Sequence, residues 1–440
     1  MKNQIIFLII VLASSFLGIF IAVLNNDIVK EKPSNLKNDN VKKSKNEEQN
    51  INSGKTKNEI NKIKDFIDDE DDEDNNNNKN ETNNNSNITN KVKEKNNQNK
   101  PKENNLNVQN TQVPTVQNAI EYKKGMNNVH ISLSIDNKFI YPLIVFLTSL
   151  LENRASTTFY MIHILTSKNL NKDYYDKINK VIDRYGKDAS KISFYNMGDD
   201  FKGAITGIHI SLASYYRIAL PSLLPNVDKI IYSDTDVINF KDLSEMYSLQ
   251  FKDKVYFMGT LDNPGLVNEL KQLRVYTQKY MNAGILLMNL KGMRQDGIEQ
   301  KIRKYIFSHY LDHHDQTAIN GACYDNYEIL SFKYATFNFK SFERMVEWNN
   351  KQDKLYRYND LELRQAFYEP RLLHFAGWTK PWDKNYNNIN GEYWWYYVKK
   401  SGFYDEILKT YGFSKDVIEK KLEQIPEDGG LLKRNYRKKV

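Results

Sequence analysis

From Val129 to Ser233 the chain alternates short apolar, strand-like runs with longer amphipathic ones, and this alternation limits its fold more than any other feature. Residues 129–135 alternate apolar and polar side chains as a strand does, and the run ends on Asp136-Asn137. A helix is expected from about 138 to 153, with Ile140, Ile144, Leu147 and Leu151 at helical spacing. Residues 159–166 read as a buried strand, 172–185 as an amphipathic helix stopped by Gly186, and 191–195 as a third strand. A helix over 213–223 then leads to a fourth strand at 229–233. Strands alternating with helices imply an α/β fold with a mostly parallel sheet. Such sheets take ligands outside the carboxyl ends of their strands.

Two of those strand ends carry acids: Asp136 after the first strand, and Ser233-Asp234-Thr235-Asp236 after the fourth. In an extended chain residues i and i+2 lie on one side, so Asp234 and Asp236 can face a single divalent cation whose shell a phosphorylated ligand completes. Spacing alone is not specific, because Asp69-Glu70-Asp71 in a polar tract has it too. Placement at a strand end separates the two.

Further along, residues 255–261 form an expected strand that enters the turn Asp262-Asn263-Pro264-Gly265. Another strand spans 280–289, entered through Asn282-Ala283-Gly284, where small side chains let a ligand approach the backbone. A long helix is expected at 293–310 and a short one beginning near Asp315. The block 372–382 gathers His374, Gly377, Lys380 and two tryptophans, and a helix-like stretch covers 405–422.

The rest of the 440 residues has a different character. Residues 5–24 are an apolar run that no charge interrupts, about the 20 residues that span a bilayer. With no small-residue cleavage pattern at its end, it reads as an uncleaved anchor over 1–24, a cleaved signal peptide being the alternative. Residues 25–127 are Asn, Lys, Glu and Asp with almost no aromatics, a composition expected to stay disordered as a stalk. Three Asn-x-Ser/Thr sequons at Asn80, Asn84 and Asn87 point to a lumenal stalk, hence a type II protein of the Golgi or endoplasmic reticulum. The folded domain is expected over 128–400 and a C-terminal helix with a basic tail over 401–440. The single cysteine, Cys323, rules out an intramolecular disulfide. A net charge of +8 without any RNA- or DNA-binding motif argues against a nucleic-acid partner.

Taken in order, Ile131…Asp136-Asn137, Ser233-Asp234-Thr235-Asp236, Tyr280-Met281-Asn282-Ala283-Gly284, His314-Asp315-Gln316 and His374-Phe375-Ala376-Gly377-Trp378-Thr379-Lys380-Pro381-Trp382 resemble glycosyltransferase family 8. The resemblance covers roughly residues 128–382 and implies a GT-A fold, a Rossmann-like mixed sheet flanked by helices. It further implies a retaining transfer of a hexose or pentose from a UDP-sugar to a glycan or glycoprotein hydroxyl, with Mn²⁺ as cofactor. By the same resemblance Asp234, Asp236 and His374 hold the metal and Lys380, with Gly377 in its loop, meets the diphosphate. Asp136 and Asn137 contact the uridine, and Ile135 stands where relatives of the bacterial galactosyltransferases carry a second acid. Arg217 lies near the donor sugar, Asn282 and Asp315 orient it, and Gln316 occupies the position beneath it. An amide is a poor nucleophile, so same-face attack with electrostatic support from Gln316 is the expected route rather than a double displacement.

Three other readings share parts of this pattern. A nucleotidyltransferase would carry a glycine-rich loop after its first strand, and residues 134–141 contain no glycine. A self-glycosylating, glycogenin-like protein and a catalytically silent sugar-nucleotide-binding protein remain as alternatives.

Overall fold

The computed structural model describes residues 122–206, 211–423, 425 and 426. The expected anchor at 5–24, the stalk to residue 121 with its sequons and acid pairs, and the basic tail lie outside these residues. Among the described residues no helix is long and apolar enough to cross a membrane.

Seven strands form the main sheet. They are β1 (Asn127–Ile135), β2 (Thr158–Thr166), β3 (Ser190–Asn196), β4 (Ile230–Ser233), β6 (Phe257–Gly259), β7 (Ile285–Met288) and β8 (Tyr327–Ile329). Their order is β3-β2-β1-β4-β7-β6-β8. β1 pairs in parallel with β2 and β4, and β2 with β3, while β7 runs antiparallel to both β4 and β6. All nine residues of β2 are buried, as expected of a strand covered on both faces. The chain builds outward through β1, β2 and β3, then returns to the other side of β1 as β4. That reversal opens the crevice where open α/β sheets bind ligands, and Asp136 and Asp234 leave from its two sides.

Helices α1 (Ile140–Glu152) and α2 (Lys172–Tyr185) cover one face. On α2 the buried residues are Ile178, Val181 and Ile182, the i, i+3, i+4 stripe of an amphipathic helix. Asn171 caps its start by accepting a hydrogen bond from the Asp173 amide, and the Gly186 amide closes its end on the Ile182 carbonyl. The other face carries the segment 212–223 together with α3 (Ile298–Ser308) and α4 (His314–Ala322). Alternation in β4 and β7 feeds both cores: Ile231, Ile285 and Leu287 face one, Ile230, Leu286 and Met288 the other.

A second sheet of three strands, not foreseen in the sequence, has the order β5-β10-β9, with β5 (Val237–Asn239), β9 (Thr336–Phe337) and β10 (Leu372–His374). Helices α5 (Phe342–Asn350) and α6 (Asp360–Tyr368) close an aromatic cluster around Phe332, Trp348 and Tyr358. Helices α7 (Gly391–Lys400), α8 (Tyr404–Tyr411) and α9 (Lys415–Leu422) share a core with β5 and β10 in which Trp394 and Trp395 are fully buried.

Three expected helices differ from the structure. The stretch 213–223 is a 3-10 segment, Leu212–Ala219, followed by one α-turn, Leu220–Leu223. Pro221 has no N–H to give the Arg217 carbonyl, so the Leu220 amide takes that carbonyl instead, with 3-10 spacing. The expected 293–310 helix is two, Leu290–Gln295 and α3, broken where Gly297 adopts φ +64. The expected 405–422 helix is α8 and α9, separated by Gly412 at φ +69. Both are left-handed stops that glycine tolerates best.

Candidate functional site

Asp234 follows directly on β4, and its amide donates to the Gly284 carbonyl at 2.7 Å. Asp236 precedes β5, whose antiparallel register with β10 sets His374 opposite Val237. The Phe375 amide donates to the Asp236 carbonyl at 2.9 Å and locks that register. As a result one ligand atom from each of Asp234, Asp236 and His374 lies within 4.8 Å of the others. The small second sheet thus joins a residue late in the chain to the acid pair.

The donor set fits a divalent cation on several counts. Two carboxylates and an imidazole suit a borderline ion such as Mn²⁺. His374 is buried, with Nε2 3.4 Å from Asp236 Oδ1 and Nδ1 without a partner among the described residues. Gly284 forms the floor: a Cβ there would collide with the His374 ring and stand 2.9 Å from Asp234 Oδ2. Lys380 Nζ donates to Asp236 Oδ2 at 2.6 Å and to the Phe375 carbonyl at 2.9 Å. Burial alone would raise the Asp236 pKa, but Lys380 and then His374 outweigh it and hold the carboxyl well below its usual range.

Arg217 is a buried bridge between two carboxylates. Nη2 donates to Asp234 Oδ1 at 2.8 Å, and Nε lies 3.1 Å from Asp315 Oδ2. Nη1 donates to the Ala283 carbonyl and Nε also to the Ser214 carbonyl, at 2.8 Å, and the guanidinium stacks over the Tyr232 ring at 4.0 Å. Burial works against its charge, yet Asp234 and Asp315 prevail and hold its pKa above the ordinary value. Asp315 responds in the opposite sense. Burial, reinforced by Asp234 and opposed by Arg217, raises its carboxyl to about 6.

Gln316, next on α4, accepts from the Ala283 amide at 2.9 Å and donates to Asp262 Oδ2 at 3.0 Å. Asn282 donates to the same Asp262 oxygen at 2.8 Å, and its Oδ1 accepts from the Gly284 amide at 2.9 Å. Asn320 of α4 ties both the amide and the carbonyl of Met281, at 2.7 Å each. The bend 281–284 is therefore clamped between the Asp234–Asp236–His374 cluster and α4.

Nine of the eleven residues singled out from sequence lie on the loops and elements around the acid cluster; the other two, Asp136 and Asn137 at the end of β1, are engaged with backbone. Asp136 accepts from the Lys138 amide, and both amide atoms of Asn137 hold the backbone of Asn169 and Asn171. Gly377 is exposed at φ +100, in the left-handed region, in the loop between His374 and Lys380. Two residues escaped the sequence reading. Asp262, which opens the turn after the expected strand 255–261, has no site role in the sequence reading, yet it follows β6 by way of the bridge between Leu261 and Met281 and binds Asn282 and Gln316. Tyr232 was read only as a strand residue; it lies two before Asp234, hence on the same side, and donates to Asp234 Oδ1 at 3.2 Å.

Comparison with known proteins agrees with this geometry. The profile of Glycosyl transferase family 8 matches residues 130–386. General stress protein A of Bacillus subtilis is 28% identical over 205 residues, 45% of this chain and 68% of that protein. Lipopolysaccharide 1,2-glucosyltransferase of Escherichia coli is 22% identical, over 60% of this chain and 76% of its own length. Among solved structures, the galactosyltransferase LgtC in complex with donor and acceptor sugar analogs superposes with a TM-score of 0.53 at 20% identity, covering 67% of this chain and all of LgtC. The bifunctional glycosyltransferase WbbM gives 0.54 at 16% identity, over 66% of this chain and about half (52%) of its own. Matching more than half of the sequence and set on a GT-A-like mixed α/β fold, the chain belongs to glycosyl transferase family 8.

Proposed function

We propose that this glycosyltransferase moves a hexose or pentose from a UDP-sugar to a hydroxyl of a glycan or glycoprotein, with retention of configuration and with Mn²⁺ at Asp234, Asp236 and His374. The convergence of those three side chains beside Lys380 and the buried Arg217 carries the reading. A divalent ion held there supplies Lewis-acid stabilisation to the departing diphosphate.

The protein's own groups do the rest. Lys380 adds a point charge for phosphate oxygens. Arg217 fixes Asp234 and Asp315 relative to each other. Asp262, Asn282 and Gln316 form an amide–carboxylate set whose remaining hydrogen-bonding capacity can meet sugar hydroxyls. Of the two carboxylates beside Gln316, Asp315 is engaged by Arg217 and Asp262 by the amides of Asn282 and Gln316. Same-face attack by the acceptor, with its proton passing to the leaving phosphate and Gln316 supporting the developing positive charge, accounts for retention without a covalent intermediate. The apolar run at 5–24 and the polar tract after it support a tethered, lumenal enzyme, which carbonate extraction and glycosidase treatment of the stalk sequons would test.

Release of UDP in the presence of Mn²⁺, screened over UDP-Glc, UDP-Gal, UDP-Xyl and UDP-GlcNAc, tests the assignment. Turnover of at least one donor that collapses in Gln316→Ala is expected. Full activity in that variant, or a glycosyl adduct trapped on Asp315, would contradict the mechanism.

A further inference from the structure

The backbone that delivers Asp315 and Gln316 is strained immediately before them. His314 adopts φ +49, in the left-handed region that residues with a Cβ rarely enter. Such a conformation persists only where the surroundings over-determine it. The constraint comes from Glu269, on the short helix Val267–Gln272. Its nearly buried carboxylate accepts from the Asp312 amide at 2.8 Å, the His313 amide at 3.3 Å and His313 Nδ1 at 2.7 Å. Three donors from two consecutive residues thus converge on one side chain. The Gln316 and Thr317 amides in turn bond back to the His313 carbonyl, at 3.0 and 3.3 Å. The same stretch of chain that carries Glu269 begins at Asp262, which accepts from the Gln316 side chain. It therefore grips the start of α4 at two points.

We propose that Glu269 and His313 are a positioning pair that sets where Asp315 and Gln316 stand against the donor sugar. The proposal rests on the placement of those two residues at the sugar. Neither member of the pair needs to touch substrate; both act through the strained turn.

The charges around the pair set its pH dependence. His313 faces Glu269, Asp262 and Asp312, with His314 beside it, while Tyr280 and Tyr305 face Glu269. The hydrogen bond to Glu269, against the opposing effect of burial, raises the His313 pKa above its ordinary value. A raised histidine pKa means that the charged clasp is complete below about 6.5 and is lost as pH rises through the folded value. The bond that remains joins a neutral imidazole N–H to the Glu269 carboxylate and has lost the attraction between the two charges.

Steady-state kinetics of the full chain with the best donor from the panel above tests this. In Glu269→Gln and in His313→Gln, kcat is expected to fall about 10- to 100-fold, the range for a catalytic group displaced by about an ångström. Donor KM and UDP affinity should stay near wild type, and the double variant should be no worse than either single one. The alkaline decline of wild-type kcat should be absent from both variants. Wild-type kcat and pH profile in Glu269→Gln would overturn the proposal. So would a loss shared by kcat, UDP affinity and thermal stability, which marks a general scaffold role. If Gln316→Ala is impaired and Glu269→Gln is not, the pair alone fails; if Gln316→Ala is fully active, the sugar-site reading fails with it.

Discussion

His374 stands opposite Val237 in the pairing of β10 with β5, so its imidazole meets the carboxylate of Asp236, one residue earlier, at 3.4 Å. The two halves of the candidate metal site are far apart in sequence, and a two-strand register joins them. Whatever disturbs the floor beneath that register should disturb the site without unfolding the domain.

Gly284→Ala is the sharpest such change. Its new Cβ would strike the His374 ring and press on Asp234 Oδ2, so the ligands must move apart. Mn²⁺-dependent turnover should fall about 100-fold, and titration calorimetry should show weakened Mn²⁺ binding, while the melting temperature changes by only a few degrees.

Arg217→Met should cost both stability and activity. It removes the partner of two carboxylates, one of them buried, and breaking a buried ion pair from one side typically costs about 3–5 kcal/mol. Urea unfolding measures this directly. Arg217→Lys keeps the charge but not the planar fork and should fall between the two.

Much of this was legible in the sequence. Strands β1 to β4 and helix α2 were, because burial on both sheet faces and the 3.6-residue stripe leave strong patterns. The acid pair was found by its place at a strand end, and the late motif supplied His374. The second sheet was not legible. Strands of two or three residues carry no periodicity, and their pairing partners, such as Asn239 with Leu372, are set only by the tertiary fold. Helix breaks at Gly297 and Gly412 were missed because the apolar spacing continues across them and only backbone sign marks the stop. Asp262 shows a different failure: its place after an expected strand was legible, but the Asn-Pro-Gly that follows gave it only a turn role.

Those glycine stops are themselves testable. Gly297→Ala and Gly412→Ala place a Cβ on residues at φ +64 and +69, which costs about 1–2 kcal/mol for a left-handed L-residue. Chemical denaturation should show both losses with turnover unchanged.

Stability should also weaken in acid through a buried histidine pair on β1 and β2. His130 Nδ1 and His163 Nε2 lie 3.0 Å apart with stacked rings, and His163 Nδ1 meets the Tyr195 hydroxyl at 3.1 Å. Burial lowers His130 to about 4, and burial together with the His130 charge lowers His163 to about 3. Both sit below the unfolded value near 6.5, so the unfolded chain binds more protons as pH falls below it, and stability drops. For His130 alone the loss by pH 4 is on the order of 3 kcal/mol. The difference in urea midpoint between wild type and the His130→Gln/His163→Gln double variant, followed from pH 7 to 4, isolates this effect from the carboxylates. A constant difference would refute it.

The central claim is that Asp234, Asp236 and His374 together hold a divalent ion that donor cleavage requires. The most direct measurement is Mn²⁺ binding in the presence of UDP, paired with UDP-sugar turnover, in Asp234→Asn, Asp236→Asn and His374→Ala, with Asp71→Ala as a control distant in sequence. Each site variant should lose both metal binding and turnover while the control keeps both. Retention of Mn²⁺ affinity and turnover in His374→Ala would contradict the account.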